Sequence, residues 1–545
     1  MNRSLARLLL PAALLIVACS STEAPPPPRH EESAAAPVPE PVSAPAPVPA
    51  PAPAPEKAPD APSAPPTPPA PPAPAETDDQ LLDRITGEMA RKVEEIRGLK
   101  FKQEVKFKQE VKRVWKSRDE AKAEMLANID EELPPEKLAA MSRELAFFGI
   151  VKEGTDVKEL FSEFISAGAG GYYIPKTKVF SLVRGFNEDA SRPIVFHELI
   201  HAVEDQYYDY NARQEKYGDA DMSDHSAAIQ AIVEGSARYW EDAFVDGEEG
   251  LRMRYTAGQM AAEGMGESAA KVMEMPPAII IGMVLYPYGN GSEFHHHVVP
   301  AMKTATPQEA FDRIFTDPPT STEQILHPQK YLDGDHPRTV KLPDLLPVLL
   351  LPVLGEGWER LGGDTQGEFG IGLVLNASLF PNTMPAQMMQ VIKMPKAPLK
   401  TPEEMAKFNQ TPVVEFKGDT AKAIGGWDGD RYLLAGKGDR MTLGWVSCWD
   451  TPGDAAEFAE RYGKVIERKY GRVEETAGED GKVSKKRVAP ESASMESGAW
   501  KGTRWKGTRD GDSAILVSGD RVIVAERVEA ERLEPFVLAL GKAEI

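Results

Sequence analysis

Three residues carry the sharpest chemical signal in this chain. His197 and His201 stand four apart with Glu198 next to the first, the pattern H-E-x-x-H. On a helix, residues four apart project from one face about one turn apart. Two neutral imidazoles so placed can grip one Zn²⁺, and the intervening carboxylate reaches the water at the metal's open position. Only nine histidines occur in 545 residues. A chance match is therefore expected in about one chain in a hundred of this composition. That outweighs the plainer reading of two histidines on an ordinary helix.

A hydrolytic zinc needs a third protein ligand and one open position. The pattern that continues with glycine and a third histidine is excluded, because Glu204 and Tyr207 occupy those places. The other common solution is a carboxylate on a later helix. Glu234 fits it, 33 residues after His201 in an amphipathic stretch; Glu204, Asp205 and His225 are rivals. Asp205, one turn beyond His201, suits a supporting role, accepting the second N–H of a ligand imidazole. Zinc lowers the pKa of its water towards ~7 and polarises a carbonyl. Glu198 then takes the water proton and delivers it to the leaving amine. The oxyanion needs a donor, for which Tyr288, His327 and the run His295–His297 are candidates. Each also has a structural reading: core aromatic, helix-ending hydrogen bonder, surface run.

These residues need elements to hold them. Ser191 reads as an N-cap with Pro193 in the first turn, so a helix is expected to about Gln206. A second helix is expected from Ser223. Its packed face is Ile229, Ile232, Val233, Ser236, Ala237, Trp240, Ala243 and Phe244, with Glu234 at the edge. Tyr172–Val183 reads as strand, turn at Pro175–Thr177, strand. Such a strand can pair with an extended substrate. Upstream, helix is expected from Asp79, and the tandem repeat Phe101–Lys112 alternates like an amphipathic strand or hairpin. Ser117–Glu120 and Thr320–Glu323 are capping boxes. Helix is expected at 145–148 and 157–165, and Pro328 should stop the helix ending at His327. Pro343, Pro347 and Pro352 exclude a membrane-spanning helix over Leu342–Leu354. From Phe416 strands dominate, at 431–435, 441–448, 514–518 and 522–526, interrupted by a helix over Asp454–Tyr470. Glu474–Ser494 reads as a mobile charged loop. Two more short repeats, at 345–354 and 500–509, are too short for solenoid units.

Net charge is −21, with no basic stripe, which excludes nucleic acid as a partner. Two cysteines, Cys19 and Cys448, allow neither a disulfide framework nor a thiolate zinc site. Cys448 reads as a small core hydrophobe. Arg3, Arg7 and the apolar run Leu8–Ala18 form an export signal too short to span a bilayer. Its end, Ile16 to Cys19, resembles the bacterial lipobox. The resemblance implies cleavage before Cys19 and lipid on its sulfur, and several acyl chains anchor stably. Ser20 and Ser21, with no aspartate, lean towards the outer membrane. Positions 24–75 hold 22 of the 48 prolines. That composition builds no core and favours extended polyproline II, a tether reaching at most ~170 Å.

On these residues the chain resembles the gluzincins, the zinc peptidases typified by thermolysin. It resembles more closely a group of largely uncharacterised bacterial metallopeptidases. The likeness rests on His197–Gln206, Val233–Gly235, Pro287–Phe294, Pro318–Pro328 and Asp364–Glu368, and more weakly on Trp449–Phe458. It covers roughly 85–375 and implies His197, His201 and Glu234 as zinc ligands with Glu198 as base. One departure is Arg238, where thermolysin-like enzymes keep an aspartate that orients a ligand. The expected fold class is α+β: signal peptide 1–18, disordered Pro/Ala linker 19–78, a mainly helical zincin domain 79–415 with a small sheet, and a small C-terminal α+β domain 416–545. The expected function is hydrolysis of a protein or peptide substrate by a lipid-anchored zinc metallopeptidase of the bacterial envelope. The alternatives are a non-catalytic binding lipoprotein and a structural tether. Intact Glu198 argues against the first, and the second predicts no zinc.

Overall fold

The structure, a computed structural model, describes residues 76–102, 112–168, 170–210, 212, 222–245, 253, 274–342, 351–381, 383–393, 412–477 and 483–545. The export segment, Cys19, nearly all the linker and most of the 101–112 and 345–354 repeats lie outside these. From Asp79 onward the described residues form one compact α+β unit. No helix among them is long and apolar enough to cross a membrane.

Helix α1 (Asp78–Arg97) leads to strand β1 (Lys112–Lys116), α2 (Arg118–Glu132), α3 (Pro135–Phe147) and α4 (Val157–Gly168). The Ser117–Glu120 capping box is present, each residue bonding the other's backbone N–H. Strands β2 (Gly171–Ile174) and β3 (Val179–Val183) follow as expected. Lys112–Lys116 was not legible as a strand, yet β1 completes a three-stranded sheet in the order β1-β3-β2. It pairs parallel to β3, while β2 pairs antiparallel and stays at the edge.

The motif helix α5 spans Glu188–Tyr208. It starts three residues before the expected cap because Asn187, not Ser191, accepts the orphan N–H of Ala190. Pro193 therefore sits inside the helix. Residues Ala190–Ser191 and Pro193–Asp205 are all buried, so α5 is a central helix covered on every side, with its polar residues inside. Helix α6 (Ser223–Phe244) starts where expected. Its first N–H is capped from afar: Asp364 Oδ1 accepts Ser223 N at 2.8 Å. The expected face is buried except at its end, where Ala243 is exposed and Phe244 is partly covered. Phe244 stacks on Phe196 at 4.5 Å, tying α6 to α5.

After α6, a ten-residue π-helix (Ile281–Asn290) runs into α7 (Gly291–Ala301). π-Helical turns are rare and cluster at functional sites. Here the sequence accommodates one with Pro287, which has no N–H to place, and with two close backbone approaches. A Cβ on Gly235 would lie 2.2 Å from the Gly291 carbonyl carbon, and one on Gly289 2.2 Å from Pro412 O. Glycine at 235 and 291 thus lets α6 and α7 pack backbone to backbone, one residue from Glu234.

Next come α8 (Pro307–Thr316), α9 (Thr322–Leu326) and α10 (Pro328–Asp333). The cap of α9 is shifted by one residue from expectation. Ser321 accepts Gln324 N and Gln324 Oε1 accepts Thr320 N, so Glu323 is released to hold Lys330. The helix ends as expected, with His327 as its C-cap, and Pro328 then opens α10 at its N1 position.

The remaining chain builds a seven-stranded antiparallel sheet, β4-β5-β6-β12-β11-β10-β9. It uses β4 (Glu359–Gly362), β5 (Trp427–Lys437), β6 (Arg440–Trp449), β9 (Ser492–Ser497), β10 (Trp500–Thr508), β11 (Gly511–Ser518) and β12 (Arg521–Val528). Helix α11 (Gly367–Leu379) packs near β5, α12 is Met384–Val391 and α13 is Gly418–Ile424. Helix α14 (Pro452–Tyr470) covers one face of the sheet and α15 (Leu533–Leu540) the other. Alternate residues obey the pleat: Leu434 and Trp445 face α14, whereas Leu433 and Val446 face α15. The 500–509 repeat is β10. Its odd period of five puts Trp500 and Trp505 on opposite faces, each in its own core. Cys448 is buried in the α15 core, as expected.

Two further readings change. The sheet does not begin at 416, because β4 is drawn from 359–362 to its edge. The charged segment 474–494 is not a loop throughout: β7 (Arg472–Ala477) and β8 (Val483–Val488) pair antiparallel. Opposite charges face across that ladder, with Lys485 2.7 Å from Glu475.

His295 is fully buried on α7, stacked on Phe311 at 4.5 Å, with Nε2 2.9 Å from Ile232 O. Burial depresses its pKa to about 3. The unfolded imidazole titrates at about 6.5, so its contribution is complete above that pH and shrinks as pH falls towards 3. By pH 5 the loss is about 2 kcal/mol. Thermal melts from pH 7 to 4 should therefore fall less steeply for His295→Gln than for the parent.

Candidate metal centre

Helix α5 supplies His197 and His201, and α6, packed along it, supplies Glu234. His197 Nε2 and His201 Nε2 are 3.2 Å apart, and Glu234 Oε2 lies 3.4 and 3.3 Å from them. All three residues are buried. They are the one group among the described residues that could hold a metal ion. A tetrahedral centre with nitrogen and oxygen ligands at about 2.0–2.1 Å sets its ligands about 3.4 Å apart. The same donors around an octahedral centre come to about 3.0 Å. The triangle fits the tetrahedral face. Two imidazole nitrogens this close cannot both carry a proton, and Glu234 Oε2 lies against both of them. The donors face a common point that calls for positive charge.

The electrostatics agree. Burial disfavours a charged imidazole, yet hydrogen bonds to Glu234 and Glu241 outweigh it and hold His197 up at about 9. Burial likewise opposes a charged Glu234, but His201 and His197 hold it down to about 2. Glu198 differs. It is 1% exposed, neither oxygen has a partner in hydrogen-bond geometry, and burial pushes its carboxyl up to about 7. A carboxyl poised there can take and return a proton near neutrality.

Of the oxyanion candidates, the structure brings Tyr288 to the triangle. The π-helix lays its ring parallel to His197, 5.9 Å between centroids. Its buried hydroxyl has no partner in hydrogen-bond geometry. Burial, then Glu234 and Glu198, raise its pKa well above the usual value, so it remains a donor. His327 instead pairs with Glu368 at 2.9 Å, beside Glu323 and Lys330. His295 is structural, and His296 and His297 are exposed.

Asp205 does not reach an imidazole. It accepts from Tyr173 Oη at 2.9 Å and from Lys178, so it fastens the β2–β3 hairpin to α5. The imidazole partner is Glu241, fully buried, whose Oε2 lies 3.3 Å from His197 Nδ1 and 2.9 Å from Arg238 Nη1. Arg238 thus has a use where thermolysin-like enzymes keep aspartate. Glu241 stands seven residues after Glu234, two turns along the same face, a spacing that could have revealed it. Of the rival ligands, Glu204 is neutralised by Arg97 at 2.7 Å and accepts from Ser236. His225 sits in the first turn of α6, outside the metal group.

A family model described as a domain of unknown function (DUF8575) matches residues 356–534. That stretch runs from the approach to β4 into α15 and contains none of the triangle residues. No curated protein and no solved structure matches the chain.

Glu241→Gln removes the charge that fixes the His197 tautomer while keeping the shape. Metal affinity should fall about 10–100-fold, measured by competition against a chromogenic chelator.

Proposed function

We propose that this chain is a gluzincin-type zinc metallopeptidase, anchored to the bacterial envelope by lipid on Cys19. The observation that carries the reading is the tetrahedral spacing of His197, His201 and Glu234 with the buried carboxyl of Glu198 beside it. Two imidazoles and one carboxylate are a donor set zinc uses in hydrolases. Zinc held there supplies a Lewis acid for a carbonyl and lowers the pKa of water to about 7.

The chain's own residues do the rest. Glu198 accepts the proton of the attacking water and returns it to the leaving amine. Burial raises the proton affinity of its carboxylate, which favours taking that proton and leaves a carboxylic acid able to return it. Tyr288 donates its hydroxyl hydrogen to the oxygen on which negative charge gathers. Glu241 and Arg238 keep His197 oriented. Strand β2 is one edge of its three-stranded sheet, and an extended peptide can add to such an edge by main-chain hydrogen bonds.

The test is elemental analysis and cleavage of an unstructured protein by the full-length chain. One zinc per chain is expected in the parent, in Glu198→Gln and in Tyr288→Phe. Cleavage should fall at least about 10²-fold in Glu198→Gln. In Tyr288→Phe kcat should fall about 10²–10³-fold. Zinc without cleavage by the parent would favour a binding lipoprotein. No zinc after reconstitution would overturn the reading.

A further inference from the structure

A cavity of about 510 Å³ opens between α3, the start of α6, the π-helix, β4 and α11. Ligand pockets typically span about 300–1,000 Å³ with apolar walls and a few placed polar groups. Met141, Phe148, Ile279, Met283, Phe369 and Leu373 supply hydrocarbon. Five carboxylates line it against two cations, Lys137 and Arg360. Of the five, Asp224 and Asp364 are buried and Glu144 is half-buried. Glu144 accepts from the Tyr432 hydroxyl, Asp224 from Thr322, and Asp364 from the backbone of Ser223 and Thr365.

The charge balance excludes an anion. The carboxylates do not converge as a metal-ligand group, and the hydrocarbon walls have no use for a bare ion. Burial holds the Asp224 carboxyl up at about 7, and a cation beside it would draw it back down.

The cavity shares its supports with the metal triangle. Ala227 lines it, and Glu234 lies seven residues further on the same face of α6, about 10 Å along the axis. Met283 lines it, and Tyr288 follows five residues later, about one π-turn.

We propose that this cavity binds an organic cation with an apolar body, an alkyl or aryl amine or guanidine, with its charged end among Glu144, Asp224 and Asp364. Resting on the peptidase reading above, that cation is a lysine or arginine side chain of the substrate, held about three extended residues from the scissile bond.

The probes are phenethylamine and its uncharged counterpart 2-phenylethanol, titrated calorimetrically into the full-length chain. Two variants fill the cavity from opposite walls. A Cβ at Gly282 first meets the end of the Leu373 side chain at 3.3 Å, so Gly282→Leu needs Leu373 to yield by a few tenths of an ångström and places the rest of its side chain by the cavity. Ala140→Phe enters from α3. The amine should bind saturably and at least tenfold more tightly than the alcohol. It should weaken at least tenfold in each filled variant that keeps the parent's zinc content and thermal melt. Absence of saturable binding, equal binding of the alcohol, or undiminished binding in a folded filled variant would overturn the proposal. Peptides carrying lysine, arginine, leucine or glutamate then separate the sources. Preference for the basic peptides, lost on filling, identifies a substrate side chain; amine binding without that preference identifies a free amine. If the parent cleaves no peptide but binds the amine, the peptidase reading fails and the cavity assignment stands.

Discussion

Two imidazole nitrogens and a carboxylate oxygen lie within 3.4 Å of one another in the buried core. Bringing polar atoms together away from water is unfavourable unless the protein fixes them and a positive charge joins them. Much of the helical half serves that constraint. Helices α5 and α6 are buried nearly all round, so neither can rotate to hide its polar residues elsewhere. The Gly235–Gly291 contact presses α7 and the π-helix against α6, which sets Tyr288 over His197.

Two buried ion pairs hold the helices around the triangle. Arg97 from α1 meets Glu204 on α5, which also accepts from Ser236 on α6, so one ion pair pins three helices. Arg238 meets Glu241, which in turn meets His197. Removing one member of such a pair leaves an uncompensated buried charge, commonly costing about 3–5 kcal/mol. These pairs therefore fix the register of the helices on which the ligand atoms converge.

The strand-rich half is coupled to the same elements rather than appended to them. Asp364 caps α6, while Asp430 on β5 accepts from the backbone of Gln366 and Gly367 and from the indoles of Trp427 and Trp445. The sheet is thus anchored to the segment that caps the ligand helix. The family match over 356–534 covers this half and its cap but stops short of the metal triangle. The cavity between the two halves is where a shift in one would be felt by the other.

The sequence alone determined what depends on local chemistry. Spacing of four placed His197 and His201 on one face, the amphipathic run around Ile232 marked Glu234, and alternating apolar residues marked the long strands. Signals failed where a distant partner decides. Asn187 displaced Ser191 because acceptors at both positions were available and only the folded chain selects one. Charged β7 and β8 looked like a loop because each strand is satisfied only by the other. Asp205 was the carboxylate expected beside an imidazole; packing turned Glu241 towards His197 instead and Asp205 towards the β2–β3 hairpin. Tyr288 and His327 were equal candidates until the π-helix brought one to the triangle and Glu368 took the other. Local periodicity fixes which face a side chain occupies, and only tertiary packing fixes what that face meets.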